Sequence, residues 1–385
     1  MRRITHVGLP QPLNPTAESK QWLIDLDEKE RVVSLQPMAE GSAVAGESWN
    51  GDWLSPMGVD LQINGGLGLA FPELTQADLP RLLDLLDLLW QDGVAAICPT
   101  LVTCGVMALR QSLQVLREAR QLHGPQRCAL LGAHLEGPFL AEARRGAHPL
   151  EHLCPPSLLA LDERINGFED DIALTTVAPE LPGATAVMER LKALGIVISL
   201  GHSTIDAAGA TQAFQQGVAM LTHSFNAMPG LHHRDPGPIG AACRHGGITM
   251  GLIADGVHVD PTMAVLLQRL APEQVVLVSD ALAPYGLEDG QHHWDERVLL
   301  VNQGTCRLED GTLAGVSLPL LEGCKRLASW SGEPGAAIWA GTIAPRKVLG
   351  EARPLHELLL GQSLTNLLRW QWKEDQAELI WQRAA

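Results

Sequence analysis

Short apolar runs recur along the chain from Met57 onward, and segments of helical length lie between them. Eight of these runs are bounded by glycine, proline or polar residues and lack strict alternation, which is typical of strands buried on both faces. We predict strands at Met57–Ile63, Val94–Thr100, Ala129–Leu135, Ile172–Ala178, Ile196–Leu200, Val218–Thr222, Ile248–Ile253 and Val275–Ser279.

Amphipathic segments separate several of these strands. Leu79–Trp90 and Pro261–Leu270 carry apolar residues at i, i+3 and i+4, which predicts helices with one buried face. A further helix is predicted over Thr204–Gln215, with Ser203 or Thr204 as its N-cap. Alternating strands and helices favour parallel pairing with right-handed crossovers. Eight such units predict a (β/α)8 TIM-like barrel, an α/β fold.

The two ends of the chain have a different, β-like pattern. Gln21–Leu26 and Arg31–Gln36 flank a turn at Asp27-Glu28, and Ala377–Gln382 alternates again near the C-terminus. We therefore expect a small β-sandwich domain built from both termini. The predicted division is 1–53 for its N-terminal part, 54–345 for the barrel and 346–385 for its C-terminal part. Two more helices, at Leu318–Trp330 and Gly335–Leu349, are predicted to join the barrel.

Composition narrows the class of protein. The chain has 385 residues, 46% apolar and 19% charged, and no apolar run approaches the roughly 20 residues of a membrane span. Its formal net charge of −16 argues against a nucleic acid or an anionic membrane as partner. Seven scattered cysteines without a CxxC pair argue against a disulfide framework or a cysteine zinc site. We expect a cytoplasmic protein with reduced thiols.

Polar residues with catalytic potential follow the predicted strands. In a barrel of this type the carboxyl ends of the strands meet at one face, where active sites lie. The residues concerned are Asp60 and Gln62 on the first strand, His134 and Glu136 on the third, His202 after the fifth, His223 and Asn226 after the sixth, Asp255 and His258 after the seventh and Asp280 after the eighth.

Glu136, His202 and His223 form a candidate metal set. Two imidazoles and one carboxylate suit a divalent ion such as zinc and leave a position open for water. Such an ion lowers the pKa of its water to about 7, and Asp280 could take the proton and pass it on. A single histidine after an apolar strand is more commonly structural. Three such residues at three strand ends, with an aspartate at a fourth, favour ligation.

Three other polar or glycine-rich segments indicate a binding site less strongly than the candidate metal set does. The loop His232-His233-Arg234 could clamp an anion, because the arginine fork matches phosphate, or it could be a solvated polar loop. For His292-His293, in a polar stretch away from any predicted strand end, we favour a solvated surface. Gly65-Gly66 and Gly68 lack the spacing of a phosphate loop and favour a tight turn.

Taken together and in order, these segments resemble the N-acetylglucosamine-6-phosphate deacetylases of the amidohydrolase superfamily. The resemblance extends from about Trp53 to Leu320. Its motifs are Gly58-Val59-Asp60-Leu61-Gln62-Ile63-Asn64-Gly65, His134-Leu135-Glu136-Gly137-Pro138-Phe139, Gly146-Ala147-His148-Pro149, Gly201-His202-Ser203, Phe225-Asn226-Ala227-Met228, His232-His233-Arg234, Ala254-Asp255-Gly256-Val257-His258 and Ser279-Asp280-Ala281.

The resemblance implies deacetylation of N-acetyl-D-glucosamine 6-phosphate to D-glucosamine 6-phosphate and acetate. Glu136, His202 and His223 would bind the metal and Asp280 would be the general acid and base. His148 would act near the scissile amide. Arg234 and His258 can serve a neighbouring subunit in this family, which implies a homodimer. The implied substrate contacts are Ala147, His148, Asn226, Ala227, Arg234, Asp255, His258, Leu313, Ala314 and Gly315.

The chain departs from the superfamily pattern at two places. Where many members carry His-x-His after the first strand, this chain reads Asp60-Leu61-Gln62, so we expect one metal ion with Gln62 lining the site. After Gly315 it reads Val316-Ser317-Leu318 where the family commonly reads Ser-Ala-Leu. Zinc is the favoured ion, with iron or another divalent ion as alternatives. N-acetylgalactosamine 6-phosphate, a cyclic amide as substrate, and a non-catalytic sugar-phosphate binder remain open.

Overall fold

Parallel strands form the central sheet of the computed structural model, which describes residues 2–13, 20–39, 44–294 and 297–385. These barrel strands span Gly58–Ile63, Val94–Val102, Ala129–Leu130 with Ala133–Glu136, Ile172–Val177, Val197–Leu200, Val218–Leu221, Thr249–Leu252 and Val275–Leu277. Each pairs in parallel with its neighbour, in chain order. Two backbone hydrogen bonds, from the Asp280 amide to the Gln62 carbonyl (2.8 Å) and from Asn64 to Ala281 (2.7 Å), join the last strand to the first.

The eight predicted strands are confirmed, with one interruption. The run predicted as one strand over Ala129–Leu135 is broken into two pieces at Gly132. Gly132 has a φ of +121°, and a Cβ there would lie 3.0 Å from the Ala173 amide nitrogen. The chain bends at this glycine because only glycine fits that conformation beside the next strand.

The helices cover the outside of the barrel sheet. Leu79–Gln91 buries Leu82, Leu85, Leu86 and Leu89, the i, i+3, i+4, i+7 stripe that the sequence predicts. Pro261–Leu270 has the predicted bounds. The other α-helices span Val106–Gln121, Leu158–Ile165, Ala184–Ala193, Ala207–Gln216, Gly237–His245, Leu320–Ser331, Pro334–Thr342, Ala344–Val348 and Leu355–Leu359. In the part of the chain that the structure describes, no helix combines the length and apolar character of a membrane span.

Two helix predictions need correction. The helix expected from Thr204 begins at Ala207, and its N-cap is Asp206, whose carboxylate accepts from the Gly209 amide. Ser203 and Thr204 instead donate their hydroxyls to Glu180. The helix expected over Gly335–Leu349 is two helices that meet at Ile343. Pro345 explains the break, because proline cannot donate a hydrogen bond to the preceding turn.

Strands from both ends of the chain form one seven-stranded terminal sheet. Its strands span Arg2–Gly8, Gln21–Leu26, Val32–Pro37, Glu47–Ser48, Trp53–Pro56, Leu367–Lys373 and Glu378–Arg383. The N-terminal strand Trp53–Pro56 pairs antiparallel with the C-terminal strand Leu367–Lys373, which joins the two ends. The buried indole of Trp370 donates to Ser55 Oγ at 2.8 Å across this seam. A small β unit built from both termini is therefore present, as predicted.

A four-stranded antiparallel sheet follows the last barrel strand, and the sequence analysis did not predict it. Its strands, Gly290–Trp294, Arg297–Asn302, Thr305–Leu308 and Leu313–Val316, form what we call the insert sheet. Its inner face packs an apolar cluster against the mouth of the barrel. The cluster comprises Val102, Leu282, Trp294, Leu299, Val301 and Cys306. His292 and His293 lie on its first strand, and neither lines the cavity described below.

Candidate active site

Sharp turns directly after the barrel strands position the polar side chains. His202 (φ +48°), His223 (φ +27°) and Asp280 (φ +51°) all have a left-handed backbone conformation, which is uncommon for residues with a side chain. Such strained positions cluster at functional sites, where the surrounding structure holds them in place. The three residues are buried at the mouth of the barrel.

Glu136, His202 and His223 meet at one point. His202 Nε2 and His223 Nε2 each lie 3.1 Å from Glu136 Oε1, and the two nitrogens lie 3.1 Å from each other. Bonds of about 2.0–2.2 Å to one zinc ion require ligand atoms at about this mutual spacing. All three residues are at least nine-tenths buried, as a closed ligand set requires.

The protonation of His202 favours a cation at this point. Its Nδ1 lies 2.8 Å from the carbonyl oxygen of Arg144, which can only accept, so Nδ1 carries the proton. In the neutral ring, Nε2 then presents a lone pair to the Glu136 carboxylate and to the second imidazole. A single proton could bridge only two of the three atoms His202 Nε2, His223 Nε2 and Glu136 Oε1. A divalent ion can bind all three. The donor set therefore fits a metal ion.

His148 is a competing ligand, because one ligand atom from each of Glu136, His148 and His202 also lies within 4.8 Å of the others. However, His148 Nε2 lies 4.0 Å from Glu136 Oε2, whereas His223 Nε2 lies 3.1 Å from the same carboxylate. The shorter distance favours His223 as the third ligand and leaves His148 beside the metal position.

Asp280 lies beside the metal set and shares a hydrogen-bond donor with it. The Gln62 amide donates to Asp280 Oδ1 and to Glu136 Oε1, both at 3.2 Å, and Asn64 donates to Asp280 Oδ1 at 2.8 Å. Burial raises the pKa of Asp280 to about 6, and the nearby Glu136 carboxylate adds to this effect. A carboxyl with such a pKa can accept and return a proton near neutral pH.

Burial and neighbouring charge set the other ionisation states. Burial alone would raise the pKa of Glu136, but the adjacent imidazoles of His202 and His223 outweigh it and hold that pKa well below its usual value. Burial and then His202 lower the pKa of His148 to about 3, so its ring is neutral. The Thr103 amide donates to His148 Nδ1 at 3.3 Å, which places the ring proton on Nε2, facing Glu136.

These side chains line a cavity of about 160 Å³ at the mouth of the barrel. It contains most of the predicted site residues: Glu136, Ala147, His148, His202, His223, Asn226, Ala227, His258, Asp280, Leu313 and Ala314. A larger cavity of about 770 Å³ lies where the terminal sheet meets the barrel, but none of the predicted site residues lines it. Convergent titratable groups, not size, identify the active site here.

Four predicted site residues do not line this cavity. Gln62 lies behind Glu136 and Asp280, as their shared donor. Asp255 holds His258, whose Nδ1 lies 2.7 Å from the carboxylate. Gly315 packs against the Asp280 backbone, since a Cβ at Gly315 would lie 2.8 Å from the Asp280 carbonyl oxygen. Arg234 is exposed in its loop, outside the cavity of its own chain.

Several lining residues carry no assignment from the sequence. They are Asn64, Val102, Ile253, Leu282 and Trp294. Alternation along the first strand could have identified Asn64, because it lies on the same face as Gln62. Gln62 and Asn64 reach Asp280, whereas Asp60 accepts from the Gln62 and Ser279 amides deeper in the barrel.

Known proteins support the resemblance. No protein-family model matches the chain. It is 33% identical over 345 residues to the N-acetylglucosamine-6-phosphate deacetylase of Bos taurus, covering 86% of this chain and 83% of the relative. It is 31% identical over 299 residues to the N-acetylgalactosamine-6-phosphate deacetylase of Escherichia coli O157:H7, covering 77% and 78% of the two chains.

A solved structure shares the fold over the whole chain. It is an aspartate-to-alanine variant of the N-acetyl-D-glucosamine-6-phosphate deacetylase from Mycobacterium smegmatis, in complex with N-acetyl-D-glucosamine-6-phosphate. The TM-score is 0.80 at 24% identity, covering 100% of this chain and 98% of the other. The extent and identity of the curated matches settle the family. This chain belongs to the N-acetylglucosamine-6-phosphate deacetylases, a family of hydrolases.

Proposed function

We propose that this chain hydrolyses the acetamide of N-acetylglucosamine 6-phosphate, releasing acetate and glucosamine 6-phosphate. The observation that carries this proposal is the meeting of Glu136, His202 and His223 within 3.1 Å, beside an aspartate whose pKa is near 6. The bovine relative is named for this substrate and the Escherichia coli relative for its galactosamine epimer. The epimer is therefore the main alternative substrate.

We propose that one divalent ion, zinc, is held by Glu136, His202 and His223. When bound, such an ion would polarise the acetyl carbonyl and make a water molecule acidic enough to attack near neutral pH. Iron(II) suits the same two imidazoles and one carboxylate. The amides of Gln62 and Asn64 donate to Asp280 beside this ligand set, and an amide is a weaker ligand than an imidazole, which favours a single ion.

Asp280 moves the protons in the proposed mechanism. Its carboxylate accepts the proton of the attacking water and then returns it to the nitrogen of the leaving amine. Asn64 and Gln62 hold Asp280 Oδ1 by hydrogen bonds, which leaves Oδ2 for the proton transfer. Gln62 lies on the first barrel strand and Asn64 directly follows it. The backbones of both residues also form the hydrogen bonds that close the barrel beside Asp280, so the carboxylate has a fixed orientation.

His148 supports the carbonyl oxygen. Its neutral ring carries the proton on Nε2, on the side of the metal position, and Thr103 fixes the ring from behind through Nδ1. The N–H can donate to the oxygen as negative charge develops during attack. Donors of this kind lower the barrier by roughly 3–4 kcal/mol in enzymes where their removal has been measured.

The sugar phosphate would lie beside Asn226, Ala227 and His258. We propose that Arg234, exposed and outside the cavity of its own chain, completes the phosphate site of a second copy in a homodimer. Mixing Arg234→Ala and Asp280→Asn chains tests this. Subunit exchange should restore turnover, because one site of each mixed dimer is intact. Lack of restoration, with exchange verified, would contradict the proposal.

The cellular location and the domain division are also proposals. We propose a cytoplasmic location, since each of the seven cysteines is a free thiol. We also propose the domain division 1–53, 54–345 and 346–385, of which residues 1, 14–19, 40–43, 295 and 296 lie outside the described residues. The first proposed boundary lies next to the strand Trp53–Pro56, which belongs to the terminal sheet.

Metal analysis combined with an acetate-release assay tests the proposed function. The purified protein should contain about one divalent ion per chain and release acetate from N-acetylglucosamine 6-phosphate. A chelator should abolish release, and added zinc should restore it. Parallel assays with the galactosamine epimer and with dihydroorotate identify the substrate. Calorimetric binding of the sugar phosphate without acetate release would indicate a non-catalytic binder instead.

A further inference from the structure

A thin wall separates the active-site cavity from a second, larger cavity. The active-site cavity measures about 160 Å³ and the second about 560 Å³. Val102 and Trp294 line both of them. Both side chains are almost completely buried and belong to the apolar cluster beneath the insert sheet. We call this pair the Val102–Trp294 wall.

The two halves of the wall come from different parts of the fold. Val102 ends the second barrel strand and is paired in register with Glu136, so the two side chains lie on the same face of the sheet. Trp294 comes from the insert sheet, and the guanidinium of Arg297 lies 4.4 Å from the centre of its ring. The wall therefore stands directly beside the metal position.

The direction of the substrate follows from the order of strands around the barrel. Asn226 and Ala227 follow the sixth strand, which lies opposite the second strand in a barrel of eight. If the sugar phosphate lies beside them, as the proposed function requires, the amide nitrogen points toward the sixth strand. A secondary amide is trans, so its acyl chain points the other way. The acyl methyl then meets Val102.

We propose that the Val102–Trp294 wall sets the length of the acyl chain that the enzyme removes. The acetyl methyl fits against the wall, whereas an acyl chain of three or four carbons would clash with it. The second cavity behind it combines charged lining residues such as Arg145 and Glu151 with an apolar side formed by Ala70, Ala108 and Leu150, and that apolar side suits an aliphatic chain. Cutting the wall back should join the cavities and extend the substrates to N-propionyl and N-butyryl glucosamine 6-phosphate.

Val102→Ala tests the wall in the metal-loaded enzyme. The measurement is kcat/KM for the N-acetyl, N-propionyl and N-butyryl sugar phosphates, with released glucosamine 6-phosphate as the readout. Wild type should prefer acetyl over butyryl by at least about tenfold, and Val102→Ala should raise the butyryl-to-acetyl ratio by about tenfold, since one or two methylenes in a pocket are worth this much. Trp294→Leu, from the other side of the wall, should act in the same direction.

Two controls separate a wall from general loosening. Val301→Ala removes the same two methyl groups from the same apolar cluster, but Val301 lines neither cavity. It should leave the butyryl-to-acetyl ratio unchanged. Ala70→Phe, which fills the second cavity, should cancel the gain of Val102→Ala.

The outcomes distinguish this proposal from the proposed function. An unchanged ratio in both wall variants, an equal change in Val301→Ala, or wild-type turnover of the butyryl compound at the acetyl rate would each overturn the wall. Absence of acetate release from wild type would instead overturn the proposed function.

Discussion

The mouth of the barrel and the insert sheet line the same cavity with different kinds of side chain. The mouth contributes buried titratable groups: His202 lies 3.1 Å from Glu136, and the Gln62 amide donates to both Glu136 and Asp280. The insert sheet contributes apolar surface from Trp294, Leu313 and Ala314. The residues proposed to act on the substrate therefore lie at the ends of the barrel strands. The shape of the cavity depends on the insert sheet that packs over them.

Hydrogen bonds as well as the apolar cluster attach the insert sheet to the mouth. The Leu282 amide donates to the Val316 carbonyl at 2.8 Å, and the Val316 amide donates to Asp280 at 3.3 Å. Arg297 reaches across to the Ala147 carbonyl at 2.5 Å, beside His148. We infer that changes in the mouth mainly lower kcat, whereas changes in the insert sheet mainly alter substrate binding.

The largest effect is expected from Asp280→Asn. Asparagine keeps the size of the side chain but cannot accept the proton of the attacking water, so kcat should fall by about 10³-fold or more. Metal content should be unchanged, because the ligand set lies on other residues. Steady-state kinetics and metal analysis on the same preparation check both statements. Near wild-type turnover would show that the proton transfer is assigned to the wrong residue.

Replacing His223 and His148 in turn, two of the three histidines beside Glu136, separates metal ligation from support of the carbonyl oxygen. His223→Ala should lose the metal, whereas His148→Ala should retain it and lower kcat by about 10²–10³-fold. The distances to Glu136, 3.1 Å for His223 and 4.0 Å for His148, are the reason. Loss of metal from His148→Ala with retention in His223→Ala would reverse the assignment.

The same contrast explains what the sequence could predict. Barrel strands are buried on both faces, so each reads as a short apolar run, and the polar residues directly after each run identify the mouth. The insert strands are short and partly exposed, and His292-His293 and Arg297 interrupt their apolar pattern. A region with exposed strands and no repeated spacing leaves little periodicity to detect.

Local geometry accounts for the remaining errors. Asp60, Gln62 and Asn64 occupy every second position, so alternation places all three on one face, but it could not show that Asp60 lies deeper than the other two. The break in the third strand at Gly132 could not be predicted, because it depends on the close approach of Ala173 from the neighbouring strand. Asp206, Ser203 and Thr204 are all good N-caps, and the choice depends on Glu180, which is distant in sequence.

Arg297→Met tests the attachment of the insert sheet. Methionine preserves much of the apolar stem but removes the hydrogen bond to Ala147 and the cation over Trp294. We expect KM to rise by about tenfold with a smaller change in kcat, since a hydrogen bond to a charged group contributes about 1.5–3 kcal/mol. Arg307→Met, in the same sheet, is the control, because the Arg307 guanidinium donates to the Gly311 carbonyl in the nearby turn. A fall in kcat with unchanged KM would contradict the division between the two regions.

The smallest effect concerns the stability of the barrel below the mouth. Burial raises the pKa of Asp60 to about 7. Between about pH 4 and pH 7 the folded protein therefore holds a proton that the unfolded chain has released. The contribution of Asp60 to the free energy of unfolding therefore falls as the pH rises from about 4 to about 7, and it is constant above about pH 7. Asp60→Asn removes the titration while keeping the side chain's size.

We expect the free energy of unfolding of Asp60→Asn, relative to wild type, to increase by about 1–3 kcal/mol between pH 5 and pH 8, since one pKa unit corresponds to about 1.4 kcal/mol. Urea unfolding at the two pH values measures this difference. Asp162→Asn, at an exposed position, should show no such change. A variant whose stability relative to wild type is the same at both pH values would show that Asp60 is already ionised in the folded barrel at pH 5. The cost of its charge would then be offset by the Gln62 and Ser279 amides that donate to it, and the barrel below the mouth would tolerate charge as the mouth itself does.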